Sequence, residues 1–422
     1  MATPVSEAQE CAKDVAPARL PRLVLRLWIW SAAFFLAALV VGWIEHRLGW
    51  PLLKYNPLAN RRHEDLLEFI PVYGLLHTAA FFQGVGGSRV AYPPLGAVIY
   101  AVIYATKHPV AFYRATAAVW LAVGVLGVRR ELMKRGIGAV AATLFPLTLV
   151  VASFPIAGLL QQGNLELYMW IAAGVGTWLF LRGHDDAAAV FWGVAAAVKL
   201  FPVILLSLLL PRGRWRAFAL GVATFVGVTV LCLAWLGPSV PVAWHGSLEN
   251  VFGYQGSRVS EFSWHELAAN HSVFGMVRFA SKIAGVPPAR LPLAYYCGGA
   301  VVMGLAYFGR LWKMPVANQL LAVTAFMVMF PPVSYFYALV HLYAPFLVLL
   351  FLAIRAEQAG RTVPGLRGTL MLFLPLFASF TVFTFPHQFL YGGLIQAMLL
   401  MMLFVCALEY PFAAVEAEAG AR

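Results

Sequence analysis

The sequence predicts an all-α, polytopic integral membrane protein, and three observations predict it. Of its 422 residues, 61% are hydrophobic and only 11% are charged, with a mean hydropathy of +0.78, whereas soluble domains are roughly 45–50% apolar and about 25% charged. Apolar runs long enough to cross a bilayer recur along the chain. The net charge of +12 gathers in short basic clusters between those runs, as Lys and Arg gather in cytoplasmic loops during insertion. This composition excludes soluble Rossmann enzymes, nucleic-acid binders and disulfide scaffolds. The cysteines, Cys11, Cys232, Cys297 and Cys406, lie far apart without a CxxC pair or a histidine at metal-ligand spacing, so neither a disulfide framework nor a zinc site is expected.

Residues 1–23 read as a polar cytoplasmic tail, and Arg19, Arg22 and Arg26 lead into the apolar run Leu25 to Ile44, a signal anchor with its N-terminus inside. Later apolar segments fall near 111–128, 136–153, 164–181, 187–211, 215–236, 293–309, 316–330, 336–354, 368–383 and 389–408. Basic clusters stand at Arg129-Arg130 with Lys134-Arg135, at Arg212 to Arg216, at Arg310 with Lys313, and at Arg355, Arg361 and Arg367. All are cytoplasmic under two conditions. The stretch 187–211 must cross twice, as two short helices meeting at Lys199-Leu200-Phe201-Pro202, because proline breaks a helix and a lysine in mid-span is costly. Pro94 to Thr106 must not cross, being shorter than the roughly 17 apolar residues a span needs, and lies as an interfacial or re-entrant helix on the outer side. The result is about twelve crossings with both termini inside. Residues 24–410 form one transmembrane domain with outer loops at about 45–110 and 237–292, followed by a cytoplasmic tail over 411–422.

This topology gathers the chemically interesting segments on the outer face. In the first outer loop, Asp65, Phe69 and Val72-Tyr73 have the spacing of a short amphipathic helix, whose carboxylates either supply a base to a lipid-borne substrate or merely solvate an interfacial helix. Gln161 to Asn164, with Glu166, open a membrane helix, where side-chain amides either cap the helix or bond sugar hydroxyls. Lys199 between two apolar helices either snorkels to the interface or meets an anion such as a phosphate. The second outer loop carries Asn270-His271-Ser272 with Arg278, and Ser334 to Tyr337 with His341 open a later helix. The first outer loop has no DxD pair, and the chain has no Gly-rich phosphate loop and no HExxH, so no divalent metal is demanded.

Four ordered patterns carry a resemblance. They are Asp65 followed by Tyr92-Pro93-Pro94-Leu95; Gln162-Gly163-Asn164-Leu165; Gly193 to Pro202 ahead of Arg212 to Ala217; and Asn270-His271-Ser272 with Gly275 and Arg278. From about residue 60 to 350 the chain resembles the bacterial polyprenyl-phosphate-dependent mannosyltransferases and arabinofuranosyltransferases of glycosyltransferase family 87, which have the GT-C membrane fold. The resemblance implies hexose transfer, with mannose the favoured sugar, from a polyprenyl-phosphate donor to a glycolipid or polysaccharide acceptor. Transfer would occur on the outer face of the cytoplasmic membrane, by an inverting, metal-independent reaction without a cofactor.

By the same resemblance Asp65 is the base and Lys199 faces the donor phosphate, with Arg278 and Arg89 as further cations. Gln162, Asn164, Tyr92, His271, His341, His77 and Glu68 are the sugar- or acceptor-binding candidates. Two departures stand out: Gln161 replaces the glycine of the family's Gly-Gln-x-Asn pattern, and Ser334-Tyr335-Phe336-Tyr337 replaces Ser-Trp-His. A transporter or lipid flippase also fits the span count, but such proteins usually show internal repeats and mid-membrane ionisable groups, neither of which is visible here. A non-catalytic subunit is the third expectation, and it requires Asp65 and Lys199 to be far apart.

Overall fold

The computed structural model describes residues 21–47, 73–83, 92–260, 270–285, 291–378 and 392–412; Asp65, Glu68 and Arg89 lie outside them. The described chain is helical, with no strand and one isolated antiparallel bridge, Asn270 to Tyr335.

The first long apolar run is α1 (Arg22–Arg47). Its opening backbone N–H groups have no acid of their own, and the Glu357 carboxylate accepts from Arg22 N at 2.7 Å and Leu23 N at 3.2 Å, a cap supplied from a distant helix. There follow α2 (Ala80–Gln83), α3 (Pro94–Ala105), α4 (Pro109–Lys134), α5 (Ala139–Val151) and α6 (Phe154–Gln162). Pro94 and Pro109 sit in the first turns of α3 and α4, where a missing N–H costs nothing. The pair α5–α6 bends by 56° at Ala152-Ser153, with the Ser153 hydroxyl capping Ile156 N at 3.1 Å.

Next come α7 (Glu166–Leu181), α8 (Asp185–Val198) and a 3₁₀ helix, Phe201–Arg212. Near Asp185 the chain turns back, and Arg212 and Arg214 reach the Asp185 carboxylate at 3.5 and 3.0 Å. At the other end Lys199 pairs with Glu166. The segment 187–211 therefore breaks at Lys199-Leu200 and doubles back, as the proline and the lysine predict, though its second limb is a 3₁₀ rather than an α-helix.

The chain continues as α9 (Trp215–Leu236), α10 (Val240–Ser260), α11 (Val273–Ile283), α12 (Leu291–Gly309), a short 3₁₀ turn Leu311–Lys313, α13 (Val316–Met329), a second long 3₁₀ helix Phe336–Leu342, α14 (Tyr343–Gln358), α15 (Leu366–Phe377) and α16 (Gly392–Glu409). Every residue of α13 from Ala317 to Met329 is buried, so this helix, apolar nearly all round, forms the centre. The outer helices expose Val119, Val123 and Leu126 on α4, Leu231 on α9, and Leu293, Leu305 and Phe308 on α12, a surface suited to lipid and not to water.

Among the described residues five helices are long and apolar enough to cross a membrane, or six if α5–α6 is one bent span. The other apolar helices, α3, α7, the 3₁₀ helix Phe201–Arg212, α13 and α15, are shorter. Helix length thus supports a multi-pass protein but does not reach the expected twelve crossings. The segment expected not to cross is α3, 12 residues or about 18 Å long, shorter than a bilayer core.

Candidate active site

Glu166 is the first residue of α7, an end where a carboxylate suits the helix dipole. It is reached through Gly163, whose φ of 69° is the left-handed conformation that ends α6 and that glycine adopts without strain. The next residue, Asn164, accepts the Glu166 backbone N–H on Oδ1 at 2.9 Å and donates Nδ2 to the Tyr92 hydroxyl at 3.3 Å.

Lys199 stands at the C-terminal end of α8. Its residue is extended, with φ −145° and ψ 136°, because α8 stops one residue earlier and Pro202 forbids its continuation. Its ammonium pairs with Glu166 Oε2, donates to Asn164 Oδ1 at 3.3 Å, and lies 5.8 and 5.4 Å from the ring centres of Tyr92 and Tyr337. The remaining Glu166 oxygen, Oε1, lies 2.8 Å from Nε2 of His341, which is on the 3₁₀ helix Phe336–Leu342. A carboxylate can only accept, so Nε2 carries the proton. Exposure is graded across this chain of contacts: 23% for the Lys199 side chain, 3% for Glu166 and 2% for His341. The ammonium is the accessible end of an otherwise buried polar chain.

A second polar cluster adjoins the first through the segment Pro332 to His341. Asn270 Oδ1 accepts from Ser272 N and Ser334 N, both at 3.0 Å, and its Nδ2 donates to Pro332 O at 3.0 Å. The Ser272 hydroxyl donates to Pro332 O at 3.1 Å and caps α11 at Gly275 N. His271 is fully buried, its N–H donates to Ser334 O at 2.9 Å, and its Nε2 shares a 3.0 Å hydrogen bond with the Ser334 hydroxyl. Burial pushes its imidazole from 6.5 down to about 3, against the smaller, opposite pull of Glu166, so His271 is neutral.

Of the residues expected from sequence, Asn164 meets Tyr92 and Lys199 directly, His341 joins them through Glu166, and His271 bonds Ser334 in the adjoining cluster. Gln162 is the last residue of α6, two positions before Asn164. Arg278 is buried in the second turn of α11, which the Ser272 hydroxyl caps. His77 is elsewhere: its Nδ1 donates to Trp235 O at 2.6 Å, its ring packs edge-on to Trp235 at 4.9 Å, and its backbone N–H bonds Leu236 O. Sequence reasoning missed Glu166 as the hub and Tyr337 as a wall. One signal was present: Glu166 is the single acid in 164–181 and Lys199 the single base in 187–211, and charges in apolar segments find each other. Among the described residues no cluster of His, Cys, Asp or Glu could hold a metal ion.

An all-helical membrane protein that assembles a lysine, a carboxylate, an amide, two tyrosines and a histidine at one end of its bundle has the means to hold a phosphate-bearing lipid or a sugar. The chain belongs to glycosyltransferase family 87, whose profile matches residues 91–332. It is thus a membrane glycosyltransferase. The matched region contains Tyr92, Asn164, Glu166, Lys199, His271 and Arg278, while Asp65 precedes it and His341 follows it. Comparisons with curated proteins and with solved structures return no match.

Proposed function

We propose that this glycosyltransferase moves a hexose, mannose in the first instance, from a polyprenyl-phosphate donor to a glycolipid or polysaccharide acceptor on the outer face of the cytoplasmic membrane. The observation that carries this reading is the Lys199 ammonium, partly exposed at the tip of a hairpin whose other end is basic. Positive clusters favour the cytoplasmic side, so Lys199 belongs at the outer one, at the depth of a lipid phosphate.

The lipid phosphate leaves as an anion and needs no proton when a cation offsets its charge. Lys199 supplies that cation, with Arg278 and Arg89 in support, while Asn164, Tyr92, Gln162 and His271 border the sugar. Glu166 is unsuited to deprotonating an acceptor, because one of its oxygens is held by the Lys199 ammonium and the other by His341. By the family resemblance the base is Asp65 of the first outer loop, and Glu68 is an acceptor-binding candidate. The 2.8 Å contact of His341 with a buried carboxylate favours a second reading, in which an oriented imidazole takes the acceptor proton instead.

Transfer of radiolabelled mannose from polyprenyl-phosphate-mannose into a membrane extract, by purified protein with EDTA present, tests the proposal. Incorporation that disappears in Asp65→Asn but survives in His341→Gln supports the first reading, and the reverse pattern supports the second. Absence of donor binding by wild-type protein would contradict both and favour transport.

A further inference from the structure

We propose that Glu166 is the exchangeable counter-ion of Lys199: it holds the ammonium in place in the empty enzyme and yields it to an arriving lipid phosphate, keeping His341 as its own partner. The inference rests on Lys199 being the phosphate seat and adds a positioning residue to it.

Three features support exchange over a fixed structural ion pair. The first is asymmetric access, because an anion can reach the 23% exposed Lys199 side chain without reaching the 3% exposed Glu166. The second is that Glu166 divides its oxygens, one to Lys199 and one to His341, so losing the ammonium leaves it with a charge-assisted hydrogen bond at 2.8 Å and not stranded. A buried carboxylate with a single partner would resist separation far more strongly. The third is the mounting of Lys199. It stands in the extended break between α8 and the 3₁₀ helix, on a flexible four-carbon stem. The rings of Tyr92 and Tyr337 flank its head at 5.8 and 5.4 Å, and they can steady a cation whichever anion it faces.

The consequence is functional. A permanent carboxylate beside the seat repels the phosphate it competes with, so Glu166 lowers the affinity of the site for lipid phosphate and hastens the departure of the product after transfer. Removing its charge should tighten binding, whereas damage to a merely structural pair would weaken it.

The test is equilibrium binding of undecaprenyl phosphate to the full-length protein in nanodiscs, beside donor kinetics. Glu166→Gln should bind roughly tenfold more tightly than wild type, the size expected for one nearby charge in a partly screened site, with KM for the donor and kcat both lowered. Glu166→Asp should remain close to wild type. Unchanged or weaker binding in Glu166→Gln, with binding lost in Lys199→Gln, would overturn the exchange and leave Lys199 as the seat. Unchanged binding in Lys199→Gln would overturn the seat itself. Should Glu166→Gln fail to fold, infrared difference spectra of wild-type protein decide: a carboxylate band that shifts on adding undecaprenyl phosphate, and does not shift in Lys199→Gln, supports the exchange, and a silent spectrum contradicts it.

Discussion

Asn164 serves three partners at once, accepting from Glu166 N and the Lys199 ammonium and donating to the Tyr92 hydroxyl. Of the alternatives left open by the sequence, Asn164 thus takes up the first N–H of α7 and at the same time holds Lys199 and Tyr92, and Glu166 is likewise both helix opener and ion partner. These contacts join residues 33 and 175 positions apart, which is why the sequence shows the members without showing the pairing. Lys199 stands out because a lysine among apolar residues demands an explanation; Glu166 does not, because an acid at a helix start already has one. Asp65→Asn should lower turnover by roughly 10²–10⁴ while leaving donor affinity nearly intact, measured as kcat against KM in the transfer assay. A second prediction concerns His271. Its folded pKa lies below its ordinary value, so the unfolded chain takes up the proton first and stability falls as pH drops from 6.5 towards about 3. The limiting slope is about 1.4 kcal/mol per pH unit for one group. The melting temperature of His271→Gln should therefore be less sensitive to pH between 6.5 and 5 than that of wild type, and equal sensitivity would show that His271 titrates normally.

At the scale of elements, apolar runs and prolines make most helices legible. The helix ends at Leu236 and Gly309 coincide with the expected segment ends, whereas α4 runs on past the expected 128 through the basic cluster to Lys134. The helices α6 and α10 were not expected as separate elements, because a polar loop composition and a bent apolar run both conceal them. The break at Lys199-Leu200 was expected, since proline and lysine both oppose a continuous span. Gly163 controls the approach to the site. Gly163→Ala forces a side chain into φ 69°, at a cost of about 1–2 kcal/mol. It should lower the melting temperature and reduce turnover together, by displacing Asn164 and Glu166. The Asn270 clasp makes a complementary prediction. Asn270→Ala leaves two buried N–H groups, those of Ser272 and Ser334, without their acceptor, each costing about 1–3 kcal/mol, while Pro332 O keeps the Ser272 hydroxyl. Hydrogen exchange should then rise jointly at 270–275 and 332–336, and a rise confined to one segment would contradict the clasp.

For the whole molecule, composition alone establishes membrane residence, and the opposite placement of the Lys199 cluster and the Asp185–Arg214 cluster along one hairpin gives the bundle two chemically distinct ends. Crossing number is less legible because several helices are shorter than a bilayer and their apolar composition serves burial against other helices as well as against lipid. The orientation has a direct check. In a cysteine-free background, Arg216→Cys at the basic end should react with an impermeant thiol reagent only from the cytoplasmic side, and Ser239→Cys beyond α9 only from outside. The opposite labelling would place the candidate site in the cytoplasm. The central claim is that Lys199 seats the donor phosphate, and binding of polyprenyl-phosphate-mannose to wild-type and Lys199→Ala protein in nanodiscs tests it most directly. Loss of a charge-assisted phosphate contact should weaken binding by roughly tenfold to a hundredfold in the variant, with its fold intact. Equal affinity in the two proteins would contradict the claim.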